Sequence, residues 1–212
     1  MLAPPLLFQL KDGMSIPVKD LEWLLVRMQM AQSLAQAHPD EAASFLRELL
    51  GDALARGIDS PAVHFRLGLS LDDLGDEEGA FREFVRAIAL DPLCLHQREQ
   101  LRDCARRLRS RLAWHARQGN GADVARIHSL LSEAGEADVQ CHLALARHHV
   151  SGDRLVAARE LVEAVTRLFP GHTEGWLLLA EIARAEGALD VALRAEIRAA
   201  TIVFGPMPEA EA

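Results

Sequence analysis

The spacing of glycines and small residues constrains the fold of this 212-residue chain more than any other feature. Apolar residues recur at helical intervals throughout the sequence, and no alternating run typical of a β-strand interrupts them. Three turn glycines, Gly75, Gly152 and Gly187, are each followed after five residues by an alanine and after seven more by a second alanine. Small residues at fixed positions let two antiparallel helices approach closely. The pattern therefore predicts an all-α chain of helical hairpins.

The composition fits this prediction and argues against several classes of protein. Fourteen Gly and nine Pro are too few for a disordered or collagenous chain. The net charge of −8 argues against nonspecific binding of the whole protein to nucleic acid or to membranes. Three scattered cysteines suit neither a disulfide framework nor a CxxC metal site, and no apolar run reaches the roughly 18 residues that cross a bilayer. We therefore predict a cytoplasmic protein of bacterial-like composition that makes no membrane contact.

Helix-ending residues divide the chain into ten predicted helices, which pair into about five hairpins. A single repeat domain is predicted over residues 18–203, between an N-terminal extension at 1–17 and a flexible tail at 204–212. Because each hairpin buries its apolar face only against a neighbour, such hairpins form a stacked array. The hairpins are predicted at about 18–57, 61–91, 93–135, 138–169 and 173–203.

One stretch of 34 residues, from Pro61 to Cys94, carries the repeat in its clearest form. Its repeat positions are Leu67, Gly68, Leu71, Gly75, Ala80, Phe84, Ala87 and Pro92. In length and pattern the stretch resembles the tetratricopeptide repeat (TPR) family. A later stretch around Trp176 keeps part of the pattern, although Glu196 stands where the family has Phe. The resemblance implies a right-handed superhelical array of antiparallel hairpins, a TPR-like α-solenoid with a concave groove.

The resemblance also implies a function, that of a noncatalytic protein–protein interaction scaffold or adaptor. Such a protein binds a peptide or a protein segment in its groove, on the first helix of each hairpin. Lys11 and Lys19 are the only lysines, so the Lys and Asn pattern with which family members clamp a terminal carboxylate is missing. The groove residues that the resemblance implies are Phe65, Leu69, Asp72, Asp73, His142, Ala146, His149, Leu177, Glu181 and Arg184.

The predicted helix segment 98–117 is strongly basic, with seven arginines against Glu99 and Asp103. Arginines at steps of four, four and three residues form one stripe, and guanidinium groups bind carboxylates or phosphates well. Three interpretations stay open: a solvated helix face, a surface for an acidic peptide or protein, and a nucleic-acid-associated factor. The lack of interleaved Tyr or Phe disfavours binding of single-stranded nucleic acid. This basic patch consists of Arg98, Arg102, Arg106 and Arg109.

The sequence offers no motif for catalysis or for a cofactor. It lacks a Gly-rich phosphate loop, an HExxH helix and paired CxxC motifs. His142 and His149 lie seven residues apart beside Cys141, whereas metal ligands on one helix prefer spacings of three or four. The spacing therefore favours the interpretation that these histidines line the groove or are partly buried over the interpretation that they bind a metal. We predict no enzyme, no cofactor and no metal, and a regulatory module of an enzyme on another chain stays open.

Two groups of residues are given structural roles. The carboxylates at 76–78 are predicted to cap a helix N-terminus, where negative charge is favoured by the helix dipole. Trp23, Trp114 and Trp176 each lie within an apolar helical pattern and are predicted to pack in the core.

Overall fold

The computed structural model describes residues 17–205, which form ten α-helices and no β-strand. Taken in consecutive pairs, these helices begin and end within two residues of the predicted hairpins, and the all-α class is confirmed. The predicted extension and tail lie outside the described residues, apart from Pro17, Phe204 and Gly205. The helices are α1 (Val18–Ala37), α2 (Pro39–Ala55), α3 (Pro61–Asp73), α4 (Glu77–Leu90), α5 (Leu95–Gln118), α6 (Gly121–Glu133), α7 (Val139–Ser151), α8 (Leu155–Leu168), α9 (Thr173–Ala185) and α10 (Leu189–Phe204).

Side chains at several helix starts explain why the helices begin where they do. The carboxylate of Asp76 accepts a hydrogen bond from the amide of Gly79 at 3.0 Å, and Asp138 caps α7 in the same way. Ser60 accepts from an amide in the first turn of α3, and Pro61 follows it where no N–H is needed. The predicted capping role of the acidic cluster is thus confirmed for Asp76.

Residues with positive φ mark the turns within four hairpins; Gly75 (φ 77°) lies 44 residues before Gly119, and from Gly119 onward the spacing is regular. The φ angle is 74° at Gly119, 55° at Asp153 and 78° at Gly187, and successive members of this set are 34 residues apart. Left-handed backbone is open to glycine, and aspartate enters it more readily than most side chains. The turn between α7 and α8 is therefore centred on Asp153 and not on Gly152, whose φ is −96°.

This one-residue shift changes which positions of the α7–α8 hairpin are closely packed. Ala158 and Val165, five and twelve residues after the left-handed turn residue, are buried. Ala157 is only half-buried and Ala164 is exposed, although the alignment on Gly152 placed both at close contacts. The predicted alignment of this hairpin is wrong by one residue, which corresponds to about 100° of rotation around a helix.

Small residues seven positions before a left-handed turn residue bring paired helices together. Gly68, Ala146 and Ala180 occupy this position in three hairpins, and all three are buried. A Cβ atom added to Gly68 would lie 2.6 Å from a ring carbon of Phe84, so α3 and α4 approach too closely there for a larger residue.

The chain divides into two compact units, Met1–Leu108 and Arg109–Ala212, and the boundary falls within α5. In the first unit α2 packs against α1 and α3, and α3 packs against α4. In the second unit each helix from α6 to α10 packs against its neighbours in sequence, and α7 also packs against α9. Packing between sequence neighbours is the defining feature of an α-solenoid of helical hairpins. The single-domain boundaries stay a prediction.

None of the helices within residues 17–205 has the combination of length and apolarity needed to cross a membrane.

Candidate binding site

The predicted groove residues of the first unit differ in how far their side chains are buried or already contact other residues of the chain. The ring of Phe65 packs against that of Phe84, with the ring centroids 5.7 Å apart. Asp72 forms an ion pair with an arginine of α5, and Leu69 is half-buried. Asp73 is exposed on the last turn of α3. On α3, therefore, Asp73 is the most accessible of the four residues.

The structure does not present the three predicted residues of α7 together on one surface. Ala146 is fully buried in the core of the second unit, so its assignment to the groove is wrong. His142 is turned toward α6, where its Nδ1 lies 2.9 Å from Nε2 of His128. Nδ1 of His149 is buried and has no hydrogen-bond partner. The physical reason is the turn at Asp153, since an error of one residue selects a different face of the helix.

The predicted residues of α9 lie at the surface of the second unit. Leu177 is 52% exposed in the middle of α9. Glu181 and Arg184 are also exposed, and Arg184 pairs with Glu196 of α10. Whether they contact a partner stays a prediction.

The four arginines of the basic patch are not equivalent. Arg98 and Arg102 are exposed and form no ion pair within the part of the chain that the structure describes. Arg106 pairs with a carboxylate one turn earlier in α5. Arg109 is half-buried, and its guanidinium donates to the carbonyl oxygen of Glu136 at 2.7 Å while also pairing with that residue's carboxylate. Arg109 therefore stabilises the start of α7 in addition to adding positive charge.

A cavity of about 710 Å³ lies in the second unit between the C-terminal half of α5, the start of α6, and α7. Its apolar lining is in large part buried, since Leu112, Val124 and Cys141 are each almost inaccessible to solvent. Charged residues from α5 and α7 also line it. The lining consists of Arg109, Ser110, Leu112, Ala113, Ala116, Arg117, Gly119, Gly121, Val124, Asp138, Gln140, Cys141, Ala144, Arg147, His148 and Ser151.

Three arginines dominate the electrostatics of this cavity. Arg109 is held by Glu136, and Arg147 pairs with Glu174 of α9. Arg117 is exposed and forms no ion pair with any residue between 17 and 205. Asp138 is the one carboxylate among the lining residues. Arg117 is therefore the lining arginine whose positive charge no carboxylate within residues 17–205 offsets.

His148 forms one wall of the cavity and packs directly on the first residue of α6. A Cβ atom added to Gly121 would lie 1.7 Å from Cε1 of His148, so the ring occupies the space of a side chain. Nε2 of His148 lies 2.7 Å from a guanidinium nitrogen of Arg154, which donates to it. The hydrogen bond from Arg154 fixes the position of the ring.

A buried histidine pair lies in the seam between α6 and α7. The rings of His128 and His142 meet edge to face, with centroids 4.9 Å apart, and share one hydrogen bond. Burial, followed by the influence of His142 and then of His149, lowers the pKa of His128 from 6.5 to about 4. His128 is therefore neutral at physiological pH. Sequence reasoning overlooked His128, because its partner His142 was assigned to the groove.

The two buried cysteines, Cys104 and Cys141, have unreactive thiols. Burial raises the pKa values of the thiols of Cys104 and Cys141 to about 12, so both are protonated near neutral pH. Within residues 17–205, no cluster of His, Cys, Asp and Glu side chains is arranged to hold a metal ion.

Trp114 is exposed, contrary to the predicted core position. Half of its surface is accessible, and its ring meets that of His115 edge to face at 4.9 Å. Ser110 and Arg117, four residues before and three residues after it on α5, both line the cavity. Trp114 therefore lies at the edge of the cavity. Trp23 and Trp176 are half-buried.

Comparison with known proteins gives matches to solved structures only. No model of a known protein family matches the sequence, and no curated protein matches it. MamA (41-end) from Desulfovibrio magneticus RS-1 shares 15% identity over 85% of this chain and 94% of that chain, with a TM-score of 0.37. PilF of Pseudomonas aeruginosa shares 18% identity over 92% of this chain and 81% of that chain (TM-score 0.39). A MamA AMB-1 structure shares 16% identity over 90% and 96%, with a TM-score of 0.41.

Matches at these identities and TM-scores carry no argument about function. Membership in the TPR family therefore stays a prediction from the repeat pattern.

Proposed function

We propose that this chain is a noncatalytic protein-interaction module that binds a segment of a partner protein in the cavity between α5 and α7. The observation that carries this proposal is an open cavity of about 710 Å³ with a buried apolar lining and charged residues beside it. Binding pockets of roughly 300–1,000 Å³ typically combine a mostly apolar lining with a few placed polar groups. The cavity therefore has room for a few side chains of a partner.

The repeat architecture favours a protein as the partner. Stacked hairpins leave one helix of each hairpin facing a continuous surface, and such surfaces suit extended or helical segments. The left-handed turn residues Gly119, Asp153 and Gly187 follow one another at 34 residues, the length of a TPR unit. This spacing supports the proposal that the chain is a divergent TPR-like protein. A cytoplasmic location belongs to the same proposal, because all three cysteines are free thiols, as in a reducing compartment.

The charge of the cavity favours a partner segment that carries carboxylates. Arg109 and Arg147 already pair with carboxylates of the protein, whereas the charge of Arg117 is not offset, so Arg117 would attract an acidic segment and repel a basic one. The nucleic-acid alternative is weakened by the ion pairs of α5, because Arg106, Arg107 and Arg109 already have carboxylate partners. A module that regulates an enzyme on another chain is a special case of the proposal, in which the bound partner is that enzyme.

Site-specific photo-crosslinking tests this function. Ala113 lines the cavity and is exposed, so a photoreactive benzoylphenylalanine at this position is expected to trap a partner in cells. The matched control carries the same residue at Ala200, which is exposed on α10 and away from the cavity. A recurring adduct from position 113 that is missing from position 200 supports the proposal. The same adducts from both positions, or none from position 113, contradict it.

A further inference from the structure

The cavity has one edge at which an exposed aromatic ring and an arginine without an ion pair lie together. Trp114 and Arg117 are three residues apart on α5, and therefore lie side by side on one face of the helix. Trp114 is 50% exposed, and Arg117 both lines the cavity and is exposed. Tryptophan and arginine are, with tyrosine, the residue types enriched among those that dominate protein-binding energies. This edge therefore combines two residue types that often anchor protein interfaces.

The ion pairs within the second unit determine which arginine is available to a ligand. Arg109 is half-buried and contacts Glu136, and Arg147 contacts Glu174. A ligand carboxylate at either position would compete with a carboxylate of the protein. Within residues 17–205, Arg117 has no such competitor. A guanidinium binds a carboxylate through two parallel hydrogen bonds, so Arg117 is the natural partner for a ligand acid.

The apolar lining next to this edge sets the other requirement on the ligand. Ala113 and Ala116 of α5 face Ala144 of α7 across the cavity, and their short side chains leave room for a larger apolar group. An apolar side chain placed there gains burial, while an adjacent carboxylate reaches Arg117. The ligand must therefore present an apolar side chain and an acid close together.

We infer that the partner segment is acidic and amphipathic, and that Trp114 and Arg117 are its principal contacts. Its apolar side chains enter the cavity between α5 and α7, a carboxylate pairs with Arg117, and the segment covers the ring of Trp114. This inference rests on the proposed function and specifies the chemistry of the partner. It differs from recognition of a chain terminus, because the acid is a side chain.

Three synthetic peptides test the inference against the full chain. The first is a fluorescein-labelled amphipathic helix of leucines and glutamates, and the other two replace every glutamate by glutamine or by lysine. Fluorescence anisotropy is expected to give at least about tenfold tighter binding of the glutamate peptide than of the glutamine peptide, and no binding of the lysine peptide. The tryptophan emission of the protein is expected to change on binding, and Trp114→Phe should remove most of that change.

Protein variants locate the contact. Arg117→Gln is expected to abolish the preference for glutamate over glutamine, whereas the control Arg198→Gln, at an exposed arginine of α10, should keep it. Both residues are exposed, so folding is preserved, and circular dichroism verifies this. Equal binding of the glutamate and glutamine peptides overturns the acidic partner and leaves the proposed function standing. The inference is overturned if Arg117→Gln keeps the preference for the glutamate peptide, or if no peptide binds. Crosslinking from position 113 tests the proposed function separately.

Discussion

Acidification is expected to destabilise the second unit through the buried pair of His128 and His142. At neutral pH one ring donates the shared hydrogen bond and the other accepts it. Two protonated rings would present donors to each other and lose the bond. The side chains that act on His128 through charge are His142 and His149, and both oppose its protonation. Ser132, one turn away on α6, is neutral.

The lowered pKa of His128 gives the size of the effect. The group has a pKa of about 4 in the folded chain against 6.5 for an ordinary histidine. The unfolded chain therefore binds the proton first as the pH falls, and stability is lost between pH 6.5 and pH 4. Because one pKa unit corresponds to about 1.4 kcal/mol, the free energy of unfolding should fall by about 3 kcal/mol when pH 4 is reached. Above pH 6.5 the contribution is constant.

Urea unfolding followed by far-ultraviolet circular dichroism at several values between pH 7 and pH 4 measures this loss. In His128→Gln the part of the loss due to His128 should vanish, so the variant should be less sensitive to acid than the wild type. The control His38→Gln removes an exposed histidine at the end of α1 and should keep the full sensitivity. The reasoning is refuted if His128→Gln loses as much stability on acidification as the wild-type chain.

Two backbone positions give further tests of the packing. Gly68→Ala places a methyl group against the ring of Phe84 and should destabilise the chain by about 1–3 kcal/mol in thermal melts. The control is Gly51→Ala, where a Cβ meets nothing within 4 Å, and it should be neutral or stabilising in the same melts. Asp153→Gly should retain or slightly raise the free energy of unfolding. Asp153→Val should lower it by about 1–2 kcal/mol, because β-branched residues disfavour left-handed backbone. Equal melting temperatures for these two variants would contradict the assigned turn.

The sequence predicted the helices well because each helix end is determined by residues close to it in the sequence. Turn glycines, prolines and capping side chains interrupt a helical apolar pattern, and each acts within a few residues. Asp76 illustrates this, since its role as a cap follows from its position before an apolar helical run. The alignment of α7 failed for an equally local reason. Gly152 was the obvious turn residue, but the left-handed conformation falls on Asp153, and the two alternatives differ only in backbone angles.

The candidate site was less predictable because it depends on contacts between distant residues. Arg98 and Arg109 look alike in sequence, yet Arg109 is held by Glu136, which is 27 residues away. Trp114 lies in an apolar pattern, and its exposure follows only from which face of α5 the other helices cover. A sign was available in the two arginines at 111 and 117, which lie three residues before and three residues after Trp114 and are rarely found around a core residue.

The contact of His148 with Gly121 has a consequence for the natural variation of this protein. One helix supplies a ring and the other supplies the absence of a side chain, so a side chain at position 121 requires the ring of His148 to move or to be replaced by a smaller residue. Among homologues the two positions are expected to covary. A large residue at position 148 should accompany glycine at position 121, and a larger residue at position 121 should accompany a small residue at position 148. Because the ring also forms a wall of the cavity, lineages that exchange the pair would alter the shape of the binding site while preserving the fold.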